Sequence, residues 1–178
     1  MVDNITLMER MKTCTHCGVE KPITEFNKHS ITPDGLDHQC KECARIRSKE
    51  FRASPSGIYT SLKGRATYRR KRKNYHEVTI TRDEFVEWYK SQEKKCAYCD
   101  LPEEHLELMK TDFDGRINRL EVDCVDNSAG YAVGNLVLSC HRCNFFKLNF
   151  FSFDEMREIA QKYFKPKWVS RMTGSAKK

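Results

Sequence analysis

The chain has 178 residues, 39% of them apolar and 32% charged, and 32 Lys+Arg against 25 Asp+Glu leave a formal charge of +7. That length suits one domain or two small interlocked ones, and its apolar runs are too short to span a bilayer. With no basic start leading into an apolar stretch, the composition excludes a membrane protein, a collagen-like chain and a wholly disordered one, and an intracellular, cytoplasmic location is expected.

Cysteine organises the first fifty residues. The chain has nine cysteines, eight of them in four C-x-x-C pairs, and that pattern reads as metal binding, since the two thiols of C-x-x-C suit one tetrahedral ion better than a structural disulfide. Cys14, Cys17, Cys40 and Cys43, with twenty-two residues between the pairs, predict a four-cysteine zinc module over residues 1–50. His16, inside the first pair, is an alternative ligand. A turn signal, Ser54-Pro55-Ser56-Gly57, then opens a basic segment over residues 51–75. From Lys63 to Lys73 it carries seven cations in eleven residues: Lys63, Arg65, Arg69, Arg70, Lys71, Arg72 and Lys73. A density of that kind is stabilised by a polyanion whose counterions are released on binding, so these residues are expected to track a nucleic-acid backbone without reading sequence. A solvated helix face or a localisation signal is the competing explanation.

Residues 76–165 form the next segment. Thr81-Arg82-Asp83-Glu84 is a capping box that starts a helix with Phe85, Trp88 and Tyr89 on one face. Cys96, Cys99, Cys140 and Cys143 predict a second four-cysteine zinc site, with His141 as the alternative ligand. Four thiolates leave no open position, so both zinc ions are expected to be structural. Between them, Leu120–Val125 and Asn135–Ser139 alternate as strands around the turn residues Asp126–Gly130, and a helix opens at Cys140: a ββα unit. Ser152-Phe153-Asp154-Glu155 is a second capping box, with Phe153, Met156, Ile159, Ala160 and Tyr163 as its apolar stripe. The tail, 166–178, is expected to fray.

Several of these motifs recur together in one known family. Phe85-Val-Glu-Trp88-Tyr89, Cys96-Ala-Tyr-Cys99, Val122-Asp123, Gly130-Tyr131 and Cys140-x-x-Cys143-Asn144-x-x-Lys147 resemble the HNH (ββα-metal) endonucleases. Within that family the chain is most similar to the PacI-type restriction enzymes and their phage-borne relatives. The resemblance covers roughly residues 76–165 and implies an α+β, zinc-stabilised nuclease fold with an added amino-terminal zinc module. It implies that Asp123 and Asn144 hold a divalent cation, for which a hard oxygen pair suits magnesium, that Asn135 braces the loop between the strands, and that His76 and Tyr131 stand at the scissile phosphate. Lys147, closing the signature, joins the expected DNA contacts. The implied partner is double-stranded DNA, bound by a homodimer, and the implied source is bacterial or phage-borne.

One position departs from the family pattern. The residue after the metal-binding aspartate is usually a histidine that serves as general base, or an arginine in PacI-type enzymes; here it is Cys124. A thiol is a poor base unless its pKa is lowered; His76 is the favoured base and Tyr131 a phosphate contact, with Tyr131 as nucleophile the alternative. On residue chemistry alone the alternatives stay open. Asp123 also suits a turn, Asn144 a helix cap, and Cys124 a buried strand position. A zinc-ribbon DNA-binding regulator that has lost catalysis is the rival reading.

Overall fold

Strands of three to five residues cannot hold a hairpin by their ladder alone, so the first part of the chain depends on what lies between them. The computed structural model describes residues 10–69, 77–109 and 119–174. In it β1 (Met11–Thr13) pairs antiparallel with β2 (Glu20–Pro22). Likewise β3 (Phe26–Lys28) pairs with β4 (Leu36–Cys40), across an irregularity between Phe26 and Lys28. The core between these hairpins is Cys14, Phe26, Cys40 and Cys43, with Leu36 packed against it. The sulfurs of Cys14, Cys17, Cys40 and Cys43 lie within 4.8 Å of one another, the spread that four thiolates on one tetrahedral zinc require. Cys40 ends β4 and caps α1 (Lys41–Ala53), and Cys43 is the one residue that this helix buries. Gly57 sits where α1 gives way to α2 (Pro55–Arg69), and a Cβ there would lie 1.8 Å from the Phe51 carbonyl oxygen. Only glycine permits that approach.

The chain divides into two compact units, Met1–Ile58 and Tyr59–Lys178. The division falls inside α2.

In the second unit, Thr81 and Glu84 exchange hydrogen bonds as a complete capping box ahead of α3 (Arg82–Ser91). The helix buries Phe85 and Tyr89, and Phe85 meets Tyr59 at 5.5 Å between ring centroids. A 3-10 segment, Glu103–Met109, follows the Cys96–Cys99 pair. Strands β5 (Glu121–Cys124) and β6 (Leu136–Ser139) pair antiparallel in the register Glu121↔Ser139 to Cys124↔Leu136. They lead into α4 (His141–Lys147), where the Cys140 sulfur accepts from the Cys143 amide. This is the ββα unit that the alternation predicts. The sulfurs of Cys96, Cys99, Cys140 and Cys143 again converge within 4.8 Å, and the Cys99–Cys140 distance is 3.8 Å, close to the edge of about 3.8 Å that a tetrahedron with Zn–S bonds of about 2.3 Å gives. Both tetrads consist of cysteines; His16 is exposed and belongs to neither set, and His141 turns elsewhere.

The second capping box, Ser152 with Glu155, starts α5 (Phe153–Ile159). A π-helical turn, Ala160–Phe164, then joins it to α6 (Lys165–Met172). A wider turn carries the apolar stripe on by a residue, so Tyr163, expected inside, is 53% exposed, and Trp168 is buried instead. The tail is therefore helical as far as Met172 and does not fray at Pro166. Trp168 donates from Nε1 to the Cys99 carbonyl at 3.0 Å, and Lys165 pairs with Asp100 at 2.7 Å, so this helix clamps the zinc knuckle.

Candidate active site

The strand period places Glu121 and Asp123 on one face of β5, and the first turns of α4 face them with His141 and Asn144. Together with Arg65 from α2 and Tyr131 from the loop, these residues line one cleft of about 280 Å³. The sequence-predicted pair Asp123 and Asn144 is thus brought to a common recess, with Tyr131 on its wall.

Asp123 is buried, and its carboxylate is held from three sides. Oδ2 accepts from the Tyr98 hydroxyl at 2.7 Å, Oδ1 accepts from the Cys124 amide at 2.9 Å, and the Lys147 ammonium stands 3.6 Å from Oδ2. Burial pushes its pKa above the usual carboxylate value, opposed by the Tyr98 hydrogen bond and the Lys147 charge. Burial likewise raises the Tyr98 phenol, with the Asp123 charge adding to it, so Tyr98 stays a donor. Tyr98 lies between the zinc ligands Cys96 and Cys99, and Gln161 donates to its carbonyl at 2.8 Å. The zinc knuckle therefore aims a phenol at the Asp123 carboxylate.

Lys147 is a correction to the sequence reading. Expected on the DNA-contacting surface, it is fully buried, donating to the Cys124 carbonyl at 2.8 Å and to Asn127 Oδ1 at 3.1 Å. An unpaired buried carboxylate is costly, and the ammonium is placed to offset it. No phosphate can reach it there.

Asn144 is oriented by a residue that motif reasoning passed over. Its Nδ2 donates to Glu121 Oε2 at 2.7 Å. A carboxylate only accepts, so the amide is fixed with its nitrogen towards Glu121, and Oδ1 is left as the hard donor. Glu121 in turn meets His141 Nδ1 at 3.3 Å through its other oxygen. The signal was present in the alternation Leu-Glu-Val-Asp, which puts Glu121 on the same face as Asp123. Among the described residues, only the two cysteine tetrads bring three or more His, Cys, Asp or Glu ligands together. A hard cation in the cleft would therefore rest on one carboxylate and one amide oxygen, completed by water and phosphate, and these donors fit such an ion.

Asn135 donates to the carbonyls of Asp126 (2.7 Å) and Gly130 (2.6 Å) and accepts from the Asp126 amide (2.8 Å), so it ties the loop across its base. Gly130 has φ +62°, and a Cβ on it would lie 2.5 Å from the Glu77 carbonyl oxygen. That close approach lets Tyr131 donate its amide to Glu77 at 2.7 Å and settle beside the cleft. Cys124 is buried, and burial pushes its thiol up to about 12, so it is neutral at physiological pH and unsuited to act as a base. Lys63 is exposed and donates to the Val78 carbonyl at 3.1 Å. Arg65 is exposed at the cleft. Arg70, Lys71, Arg72, Lys73 and His76 lie outside the described residues, and the side chain of Arg69 is likewise not described. Among the described residues no helix is long and apolar enough to cross a membrane.

No known family profile matches the sequence, and no curated protein matches it. Among solved structures the chain is similar to that of PacI, described as a rare-cutting HNH restriction endonuclease. The two are 26% identical, with a TM-score of 0.55 over 91% of this chain and 99% of the other.

Proposed function

We propose that this chain, related to the HNH (ββα-metal) endonucleases, hydrolyses phosphodiester bonds in double-stranded DNA. The observation that carries the reading is the cleft in which Asp123, Asn144, Glu121, Tyr131 and Arg65 converge on the ββα unit. Two zinc ions are structural, and Asp123 and Asn144 Oδ1 would hold a magnesium ion, which supplies charge stabilisation at the phosphate and the leaving 3′ oxygen. Arg65 and Tyr131 orient the phosphate from the mouth of the cleft. Asn135 keeps the loop, and with it Tyr131, in place. The neutral Cys124 leaves the base role to His76, which accepts the proton of the attacking water.

The finer parts of the proposal are a defined recognition sequence, one magnesium per site, and a homodimer in which each subunit cuts one strand of a palindrome. They also include the basic run Lys63–Lys73 as a backbone-tracking segment and an intracellular setting in a bacterium or phage, in a restriction or homing role. Cys124 in the usual base position favours one rival, a DNA-binding regulator that no longer cuts.

A nicking assay on supercoiled plasmid with magnesium separates the two. Wild type is expected to convert the plasmid to nicked and linear forms, His76→Ala to lose about 10²- to 10⁴-fold in rate, and Asp123→Ala to lose all measurable cleavage. Binding without cleavage by the wild type in every divalent metal tried establishes the regulator instead. Discrete fragments from a long natural DNA support a defined recognition sequence, and a smear rejects it.

A further inference from the structure

The first unit contains a groove that the nuclease reading does not use. It lies between one face of α1 and the edge of β4 and has a volume of about 850 Å³. Arg47, Ser48, Phe51 and Arg52 line it from the helix, at the i, i+1, i+4, i+5 spacing of a single face, and His38 and Gln39 line it from the strand. We infer that this groove is a second DNA-binding surface, gripping the duplex backbone through Arg47 and Arg52, and this rests on the endonuclease reading given above.

Three observations support it. First, α1 spans thirteen residues and buries only Cys43, while Ile46 and Phe51 are 43% and 49% exposed. Helices of that length are marginal without a packed face, and here the zinc ligand holds only the first turn. Second, its charges are lopsided. Lys41 donates to the Thr24 carbonyl and Glu42 pairs with Lys21, which commits the first turn to the unit itself. Beyond it, Arg45, Arg47, Lys49 and Arg52 face a single acid, Glu50. Third, the groove offers donors suited to phosphate. The Arg52 guanidinium is steadied by Nε donating to the Ser48 carbonyl at 3.0 Å, and both Ser48 and Gln39 carry donors of their own. The one acid in the lining, Asp37, accepts from the Gln39 amide at 3.2 Å.

A phosphodiester backbone matches these guanidinium groups and neutral donors better than a second copy of the chain does. A two-fold contact through this face would set the arginines of one copy against those of the other.

The test uses the zinc-loaded full-length protein without magnesium, a duplex of about thirty base pairs, and anisotropy titrations over a series of salt concentrations. Arg47→Ala/Arg52→Ala is expected to weaken binding about tenfold or more and to reduce the slope of log K against log salt by about 2, near one unit per lost phosphate contact. Arg47→Lys/Arg52→Lys should keep most of the slope. With magnesium present, the alanine variant should need more DNA for half-maximal nicking while keeping its rate at saturation. Unchanged affinity and slope in the alanine variant overturn the groove assignment and leave the nuclease reading standing, whereas absence of DNA binding by the wild type defeats that reading itself. A variant that changes from dimer to monomer in sedimentation with its salt slope intact assigns the groove to a second copy, and also overturns the inference.

Discussion

The two zinc-braced regions use the same device to different ends. In each, the second C-x-x-C begins a helix whose N-cap is its first cysteine, Cys40 for α1 and Cys140 for α4. In the first unit the ligands are nearly the whole interior, three cysteines and Phe26 with Leu36 beside them, and Cys17 is exposed. In the second, all four ligands are buried, and the same unit also buries Phe85, Tyr98, Leu101, Met156 and Trp168. There the metal is not a substitute for a core. It holds Tyr98 against Asp123. One motif thus replaces packing where little exists, and sets the aim of a side chain where packing is already adequate.

The largest test of this contrast is zinc removal. A structural zinc contributes about 10–16 kcal/mol of apparent binding free energy, so Cys40→Ser is expected to unfold the first unit outright and leave the amide spectrum of the second unit intact. A competing chelator should take the ion at the exposed Cys17 first and the fully buried tetrad much later. Release of both ions in one kinetic phase would erase the distinction.

A second comparison sets two lysines side by side. Lys147→Met leaves Asp123 buried without its cation and should cost about 3–5 kcal/mol in urea unfolding. In the first unit, Lys21→Met breaks a 3.2 Å pair with a Glu42 that is 60% exposed, and should cost about 1 kcal/mol or less. Equal losses would mean that Lys147 is not neutralising a buried charge.

Within the cleft, Glu121→Gln frees the Asn144 amide to turn over. The magnesium concentration for half-maximal nicking is expected to rise about 10- to 100-fold, while zinc content and melting temperature stay unchanged. A fall in rate with no change in magnesium demand would move Glu121 out of this positioning role. Gly130→Ala should cost about 1–3 kcal/mol from its left-handed backbone alone, and more because of the contact with Glu77. Gly35→Ala, at φ +71° with open space around it, pays only the backbone term. Thermal melts of the pair give the difference directly.

The smallest expected effect concerns pH. Burial works against the Asp100 carboxylate, but Lys165, Gln161 and Arg157 outweigh it and hold its pKa below the usual value. A depressed pKa stabilises the fold above the ordinary carboxylate range, and that contribution is lost as pH falls through the folded value. Carbon-detected NMR titration should place the Asp100 midpoint below the ordinary aspartate value of about 3.9; a midpoint above it would contradict the clamp by α6.

Much of the architecture was legible because it rests on local or stoichiometric signals. Capping boxes at Thr81 and Ser152, alternation across Leu120–Val125 and four C-x-x-C pairs each announce their structure within a few residues. What escaped depends on contacts remote in sequence. Nothing near Lys147 marks it as buried, because its partners Cys124 and Asn127 lie twenty or more residues away. The Tyr98–Asp123 bond spans twenty-five residues and needs the zinc site to exist first. Helical spacing, which assumes a uniform turn, predicts Tyr163 inward, and a π-turn breaks that assumption. The C-x-x-C loop offers His141 as a spare zinc ligand; only the fold reveals that it turns towards Glu121.

The ammonium of Lys147 has one more consequence. Standing 3.6 Å from Asp123, it offsets one of the two acids in the cleft, and Arg65, which lines the same cleft, matches the formal charge of the other. The formal charges in and directly behind the recess therefore sum to roughly nothing. On the endonuclease reading proposed above, an arriving phosphate would not be turned away by Asp123 and Glu121.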